Sequence, residues 1–510
     1  MKIHAKIRQS IWLIPACLMC LWTAGCAEGV DDETDTDYII NIDTNRFTGT
    51  ESDTSTAANT DTASGTGTET GAFTPGTESD SATASETEYE IDTEHWFIDT
   101  DPPFEDSILH TFHITVSQEN LAWLEANATL EEYVSATVSF DDTPMGEVGI
   151  RYKGASSLHH CFDDAGVRID NDRCRKLSIK IRFDEYVDAT RLFGLKRINL
   201  HAMQADYSKL KERLAYKLFR ANNVPASRAG HARVILNGVY AGLFAMVEQV
   251  DGRFTADRWP DAGDGNLYKE SWWTELYENG WIEDLRTNED SPDVSEALAL
   301  ATAIQQSNVD TFVETVVPFF EIEHFLRYMV VDRAITNVDG ITRFYAEDER
   351  TEPNTGFTKN FYIYQQEPGG KFVMVPWDMD LTLNYPDDFM DVAGVPDWNR
   401  IPADCYTNYL VWDGNSYTKP PGCNHFHAMV VQNYWEDFVV AGHAFLGGPF
   451  QLANMMADVN RWEAQIKEAL LADPNIVESD WKWGLDKLKD DLPFLITRFE
   501  NFLNEGLTVE

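Results

Sequence analysis

The chain has 510 residues, 43% of them hydrophobic and 12% aromatic, which is enough apolar material for a sizeable core, and its formal net charge is −45. A chain this acidic repels phosphate backbones and anionic lipid headgroups, so nucleic-acid binding is not expected and attraction of cations is. Beyond the first 26 residues no stretch approaches the roughly 20 apolar residues of a membrane-crossing helix.

Lys2, Lys6 and Arg8 precede an apolar stretch from Ile11 to Leu21, short for a bilayer but suited to a signal peptide removed on export. Thr23-Ala-Gly-Cys26 then reads as a bacterial lipobox, which makes residues 1–26 a leader ending at the lipidation site Cys26. The alternative is an ordinary signal peptide with an incidental cysteine. Residues 27–104 are dominated by Thr, Ser, Asp, Glu and Gly, with twenty acids against Arg46 alone. Such a segment buries too little to offset chain entropy, so a disordered tether is expected, extended by its like charges. The lipid is the only membrane attachment expected. Ala27, in place of an inner-membrane-retaining aspartate, points to the outer membrane or cell surface.

Regular apolar patterning begins near Ile108 and runs to the end of the chain. Period-two alternation predicts strands over 111–116, 133–140, 148–153 and 177–183, with a short helix over 118–124. A helix over 208–220 begins at Asp206 and Ser208, which read as caps, and stops at Asn222-Asn223. A hairpin follows, strands 231–236 and 240–247, turned by Asn237-Gly238. Beyond Asp251 helices prevail, over 292–306, 309–319, 322–337, 435–445, 453–471 and 481–504, interrupted by a hairpin of strands 360–365 and 372–376. The order predicts an α+β fold, a folded region 105–510 with a mainly β part (105–251) before a mainly α part (252–510) and a cleft between them.

Apart from Cys17, Cys20 and Cys26, the cysteines are Cys161, Cys174, Cys405 and Cys423. Four cysteines allow three pairings, and the sequence-local ones, Cys161 with Cys174 and Cys405 with Cys423, each close a short loop in an oxidising compartment. Zinc is the rival reading, but there is no C-x-x-C spacing, and His159, His160, His425 and His427 fit no familiar ligand pattern.

A series of short motifs follows in order along the chain: Gly149-Ile-Arg-Tyr-Lys-Gly-Ala-Ser-Ser157, Lys176-Leu-Ser-Ile-Lys-Ile181, Lys196-Arg-Ile-Asn-Leu-His201, Asp206-Tyr-Ser-Lys-Leu-Lys-Glu-Arg-Leu-Ala215, Asn237-Gly-Val-Tyr-Ala-Gly-Leu243, Glu248-Gln-Val-Asp251, Gly265-Asn-Leu-Tyr-Lys269, Asn337-Val-Asp-Gly340, Asn360-Phe-Tyr-Ile-Tyr364 and Pro376-Trp-Asp-Met-Asp380. Together they resemble the spore-coat protein H (CotH) family of atypical kinases, from Gly149 to Asp380. The resemblance implies a stripped-down protein-kinase-like fold with a mainly β N-terminal lobe and a mainly α C-terminal lobe. It also implies use of ATP with Mg²⁺ or Mn²⁺.

Phosphoryl transfer asks for cations on the phosphates, carboxylates on the metal and an acceptor beside the attacking hydroxyl. Asp378 and Asp380, two apart after an apolar strand, share a face if extended and suit a metal; the resemblance puts them at the metal-binding aspartate position. It places Asp339 at the catalytic aspartate, although Asn-x-Asp-Gly is also ordinary turn chemistry. Asn360 stands where a second metal ligand is useful, or caps a strand. Lys180 and Glu212 are the analogues of the kinase lysine and its helical glutamate, with Lys176 four residues earlier on the same face. Arg151 and Lys153 share a face beside a glycine turn suited to phosphate, or serve solubility, and Glu248 ends a strand as a hinge residue would. There is no G-x-G-x-x-G or Walker sequence.

The expected activity is transfer of the γ-phosphoryl of ATP to a hydroxyl of an exported or cell-surface protein. Because ATP is scarce outside the cytoplasm, another donor or nucleotidyl transfer is the alternative chemistry. From a different class, the alternative is a kinase-fold surface protein without catalysis that binds polysaccharide or protein.

Overall fold

A computed structural model describes residues 102–163, 166–169, 171–273, 275–367, 369–384, 395–411 and 416–510. The expected leader, Cys26 and the tether through residue 101 lie outside the described residues. Seven strands form a closed barrel: β1 (His110–Val116), β2 (Val134–Phe140), β3 (Thr143–Lys153), β4 (Ser178–Arg182), β5 (Arg197–His201), β6 (Ala229–Leu236) and β7 (Val239–Glu248). They run in the order β1-β2-β3-β4-β5-β7-β6, and parallel pairing of β1 with β6 closes the ring. Closure leaves no edge strand to template aggregation. Alternation fills the interior with Phe112, Ile114, Val138, Ile150, Ile181, Leu200 and Met246. The same alternation turns Arg151 and Lys153, Lys180, and Asn199 and His201 to the other face, where Arg151 lies opposite Lys180 and Lys180 opposite Asn199. β5 was not among the expected strands, although Arg197-Ile-Asn-Leu-His201 alternates polar with apolar; all five residues are buried, so its polar side chains face other protein groups rather than solvent.

Three helices are threaded between the strands: α1 (Gln118–Ala126), α2 (Ala155–Cys161) and α3 (Lys211–Ala221). α3 starts at Lys211 rather than at the expected 208, and Leu210 stands at the N-cap position without a side-chain cap; Asp206 instead braces the turn ahead of the helix, accepting from the Lys211 N–H at 2.8 Å and from the Ser208 hydroxyl at 2.6 Å. The remainder comprises α4 (Gly252–Arg258), β8 (Asn266–Lys269), α5 (Glu278–Asp284), α6 (Ser295–Gln306), α7 (Phe312–Thr315), α8 (Ile322–Ala334), β9 (Phe344–Ala346), β10 (Phe361–Gln365) and β11 (Phe372–Pro376). β12 (Arg400–Ile401), β13 (Tyr409–Leu410), β14 (Tyr417–Lys419), α9 (His425–Gly447), α10 (Leu452–Leu471), α11 (Glu478–Glu505) and β15 (Thr508–Val509) complete it. β11-β10-β8 form one small sheet and β13-β14-β9 another. The fold is therefore mixed α+β, with the barrel core distinct from the larger core of the helical part.

Two helix expectations are corrected. Pro318 breaks the helix expected over 309–319 into α7 and a 3-10 turn at Val317–Phe319. α9 begins at His425, well before the expected 435, because the Asn424 side chain caps it, and it kinks at Tyr434.

Barrel and helices are fastened by buried polar contacts. Lys176 Nζ lies 2.8 Å from Asp473 Oδ2, which also accepts from the Leu243 N–H at 2.9 Å. A Cβ at Gly242 would stand 2.4 Å from the same oxygen, so only glycine permits this approach, and its φ of +134° suits glycine as well. Asp106 accepts from Arg213 on α3 and from the Trp462 indole on α10.

Disulfides join Cys161 to Cys174 and Cys405 to Cys423, the two sequence-local pairings, which fits an oxidising, exported setting and removes these cysteines from any zinc site. Among the described residues no helix is long and apolar enough to cross a membrane.

Candidate active site

The polar outer face of the barrel meets α3 and the turn after β11. At the end of β3, the Lys153 ammonium lies 2.7 Å from His201 Nε2 at the end of β5. His201 Nδ1 in turn lies 2.9 Å from both carboxylate oxygens of Glu212 on α3. An ammonium only donates and a carboxylate only accepts, so the pairing sets the imidazole as the neutral Nδ1–H form, its Nε2 lone pair accepting from Lys153. Trp377 walls this chain: Lys153 Nζ sits 5.3 Å from its ring centroid, and the His201 ring packs edge-on against it. Burial pushes the Lys153 pKa down, against the opposing pull of Asp378 and Glu212.

The turn after β11 supplies carboxylates. Asp378 adopts a left-handed conformation (φ 57°) and donates its N–H to the Tyr216 hydroxyl of α3 at 3.1 Å. A 3-10 turn, Met379–Leu381, then carries Asp380. The extended geometry expected for this pair is thus replaced by a turn, because the ladder of β11 ends at Pro376. Both carboxyls are half-buried. Burial first, then Glu212, raises the Asp378 pKa, while burial followed by Asp378, Glu212, Asp339 and Asp206 lifts that of Asp380 well above the ordinary value. These acids lie within each other's electrostatic reach, a concentration of negative charge that a cation would relieve.

Asp339, in the turn after α8, is buried and heavily bonded. One oxygen accepts from the Tyr345 hydroxyl; the other accepts from the Asn360 amide at 2.9 Å and faces the Lys359 ammonium at 3.2 Å. Burial alone would lower the Lys359 pKa, but Asp339 outweighs it and holds the ammonium above the ordinary lysine value. A Cβ at Gly340 would stand 2.2 Å from Asn337 Nδ2 and 2.7 Å from Asp332 Oδ1, which explains the glycine closing Asn337-Val-Asp-Gly340. On the other side of the carboxylates, the Lys211 ammonium donates to the Asn384 amide oxygen. Lys209, pushed down to about 8 chiefly by burial, also feels the charge of Asp380.

The residues singled out in the sequence divide accordingly. Lys153, Glu212, Asp378, Asp380 and Asp339 come together, and Asn360 accompanies Asp339. Lys180 is 5% exposed in mid-β4, opposite Arg151 and Asn199, and Lys153 is the lysine that stands at the end of the Glu212 chain. Arg151 is bound to Glu131, whose other oxygen accepts from the Gly154 N–H at 3.1 Å, so this pair fastens the turn after β3. Glu248, fully buried, is clasped by Arg228 at 2.7 Å and Arg258 at 2.5 Å, and these arginines overcome the effect of burial to hold its pKa down to about 2. His201, Lys359, Tyr345 and Lys211 were not singled out. For His201 a signal was present: it lies two residues beyond Asn199 in a quoted motif, hence on the same strand face.

Among the described residues no three His, Cys, Asp or Glu side chains gather closely enough to hold a metal unaided. Mg²⁺ asks for less, typically one or two carboxylates completed by water and substrate phosphates. The mutually strained carboxyls of Asp378 and Asp380, beside the Lys153 ammonium, fit a cation delivered together with phosphates.

A barrel set against helices, with acids and a lysine gathered at their junction, defines a mixed α+β protein with a polar cluster between its two cores. Residues 150–486 match the family model described as CotH kinase protein, so the chain belongs to that family and is kinase-like. No curated protein matches it.

Proposed function

We propose that this protein is an exported, lipid-anchored atypical kinase that transfers the γ-phosphoryl of ATP to a hydroxyl of an exported or cell-surface protein, with Mg²⁺ or Mn²⁺. The observation that carries the reading is the convergence of Lys153, Asp339, Asp378 and Asp380 inside the span that matches the kinase family. In this reading the barrel side (105–251) and the helical side (252–510) act as the two lobes, and Cys26 anchors the whole through residues 27–104. Asp378 and Asp380 would hold the metal, which supplies charge neutralisation across the phosphates. Lys153 binds the phosphates as a point charge. Asp339 accepts or orients the acceptor hydroxyl's proton, and Tyr345, Asn360 and Lys359 fix its carboxylate in place. In the transfer, the acceptor oxygen bonds to the γ-phosphorus as the bond to the β–γ bridging oxygen breaks, and ADP leaves.

The test is incubation of the full chain with γ-labelled ATP, each metal and a generic acceptor protein, beside Asp378→Ala and Asp339→Asn. Label transfer by the parent and its loss, by at least about 100-fold, in both variants is expected. A parent that neither labels an acceptor nor binds ATP with metal would hand the reading to a surface-binding protein.

A further inference from the structure

In a directly bonded lysine–glutamate pair the carboxylate both aims the ammonium and neutralises it. Here a ring is inserted between them: Lys153 Nζ to His201 Nε2 at 2.7 Å, then His201 Nδ1 to Glu212 at 2.9 Å. We infer that His201 is a positioning residue, whose neutral Nδ1–H imidazole holds the Lys153 amine beside the Asp378 carboxylate while keeping the balancing Glu212 carboxylate one ring away. The inference rests on the proposed phosphate-binding role of Lys153. Its physical content is separate from that role. Coulomb attraction weakens with distance and with intervening polarisable atoms, so the charge of Lys153 is less compensated than it would be in direct contact with Glu212, and its ammonium has two donors besides the one on His201 to offer a phosphate.

Four surroundings support a built arrangement. Glu212 is buried and capable of locking the ring in one tautomer, because both of its oxygens face Nδ1. The Trp377 ring stands perpendicular to the His201 ring and turns its face toward Lys153, so ring and amine share one wall. Asp378, the charged group nearest in sequence to that wall, also acts electrostatically on Lys153. The strand register places His201 at the last paired position of β5, opposite Ala245 of β7, so the ring projects from a rigid ladder.

The two halves of the chain are separable by amide substitution. An asparagine amide reaches roughly where Nδ1 stands and a glutamine amide roughly where Nε2 stands. His201→Asn therefore keeps a partner for Glu212 and drops Lys153, whereas His201→Gln keeps Lys153. Two readouts on the full chain decide the matter. The first is the rate at which an N-hydroxysuccinimide ester acylates the Lys153 amine without nucleotide, read by peptide mass spectrometry. The second is KM for ATP against kcat in the transfer assay. His201→Asn is expected to change the acylation rate and to raise KM by about tenfold, the worth of one charge-assisted hydrogen bond, with His201→Gln close to the parent in both. Equal effects in the two variants that simply follow their thermal midpoints would overturn positioning in favour of a packing role, and so would unchanged Lys153 reactivity in both. A parent that does not bind ATP would defeat the kinase reading alone, since the acylation readout does not depend on it.

Discussion

Asp380 sits among Asp378, Glu212, Asp339 and Asp206, and every one of them disfavours its ionised form. With the metal-binding role proposed for Asp380, function and stability pull in opposite directions at this residue, as they often do where a site is assembled for a ligand. Asp380→Asn removes one charge from the cluster at nearly constant shape. We expect it to stabilise the metal-free protein by about 1 kcal/mol, seen as a higher urea midpoint, while abolishing metal-dependent nucleotide binding. A loss of stability in the metal-free variant would mean that the carboxylates are already compensated. Legibility was uneven at this scale. The acids could be found because they stand in short motifs after apolar runs, but the choice between Lys153 and Lys180 could not be made. Each alternates on the polar face of its strand, and only the ladder shows that Lys153 ends β3 beside His201 while Lys180 sits in mid-strand.

At the scale of elements, three histidines are packed into helices and strands in neutral form. Burial depresses His231 of β6 to about 3, His324 of α8 to about 4 and His427 of α9 to about 3. In the unfolded chain each has a pKa of about 6.5. Between those values the unfolded state binds more protons, so this contribution is complete above about pH 6.5 and is lost as pH falls toward the folded values. Each histidine gives a slope of about 1.4 kcal/mol per pH unit, and the three together about 4 in the range from pH 6 to 4, measurable as urea midpoints. His427 is the sharpest case. Among the described residues neither of its ring nitrogens has a hydrogen-bond partner, and the rings of Trp272, Phe344 and Phe325 surround it. His427→Phe should raise stability at pH 7 by about 1–2 kcal/mol and remove roughly a third of the acid slope. An unchanged slope would contradict the buried neutral assignment. Alternation made most barrel strands readable, and β5 carried it too in Arg197-Ile-Asn-Leu-His201, but over only five residues, all of them buried. The early start of α9 had a signal in Asn424, obscured by the Pro420-Pro421-Gly422 run before it.

For the whole molecule, what matters is how the barrel is held against the helices, since Lys153 and Glu212 meet Asp378 and Asp380 only at their junction. Lys176 and Asp473 are separated by nearly 300 positions in sequence and meet at 2.8 Å in a buried pair. No periodicity or local motif encodes such a meeting, which is why Lys176 read only as a second lysine on the face of Lys180. Lys176→Met leaves the Asp473 carboxylate buried without its cation and should cost about 3–5 kcal/mol, with Asp473→Asn in the same chain recovering part of the loss. A neutral single variant, compared by urea unfolding, would show that the junction is held by apolar contacts alone. The pairing of cysteines was legible because both loops are short, and the α+β order because the texture of the chain changes at Asp251. Closure of the strands into a barrel was not, since parallel pairing of β1 with β6 joins residues far apart in the chain.

The central proposal is that the junction of barrel and helices holds a nucleotide through a divalent cation on Asp378 and Asp380 and the ammonium of Lys153. Calorimetric titration of ATP into the full chain, with Mn²⁺ and with chelator, beside Asp378→Ala, tests it most directly. The account predicts binding that requires the metal and disappears in the variant. Binding that survives chelation and the substitution unchanged would contradict it.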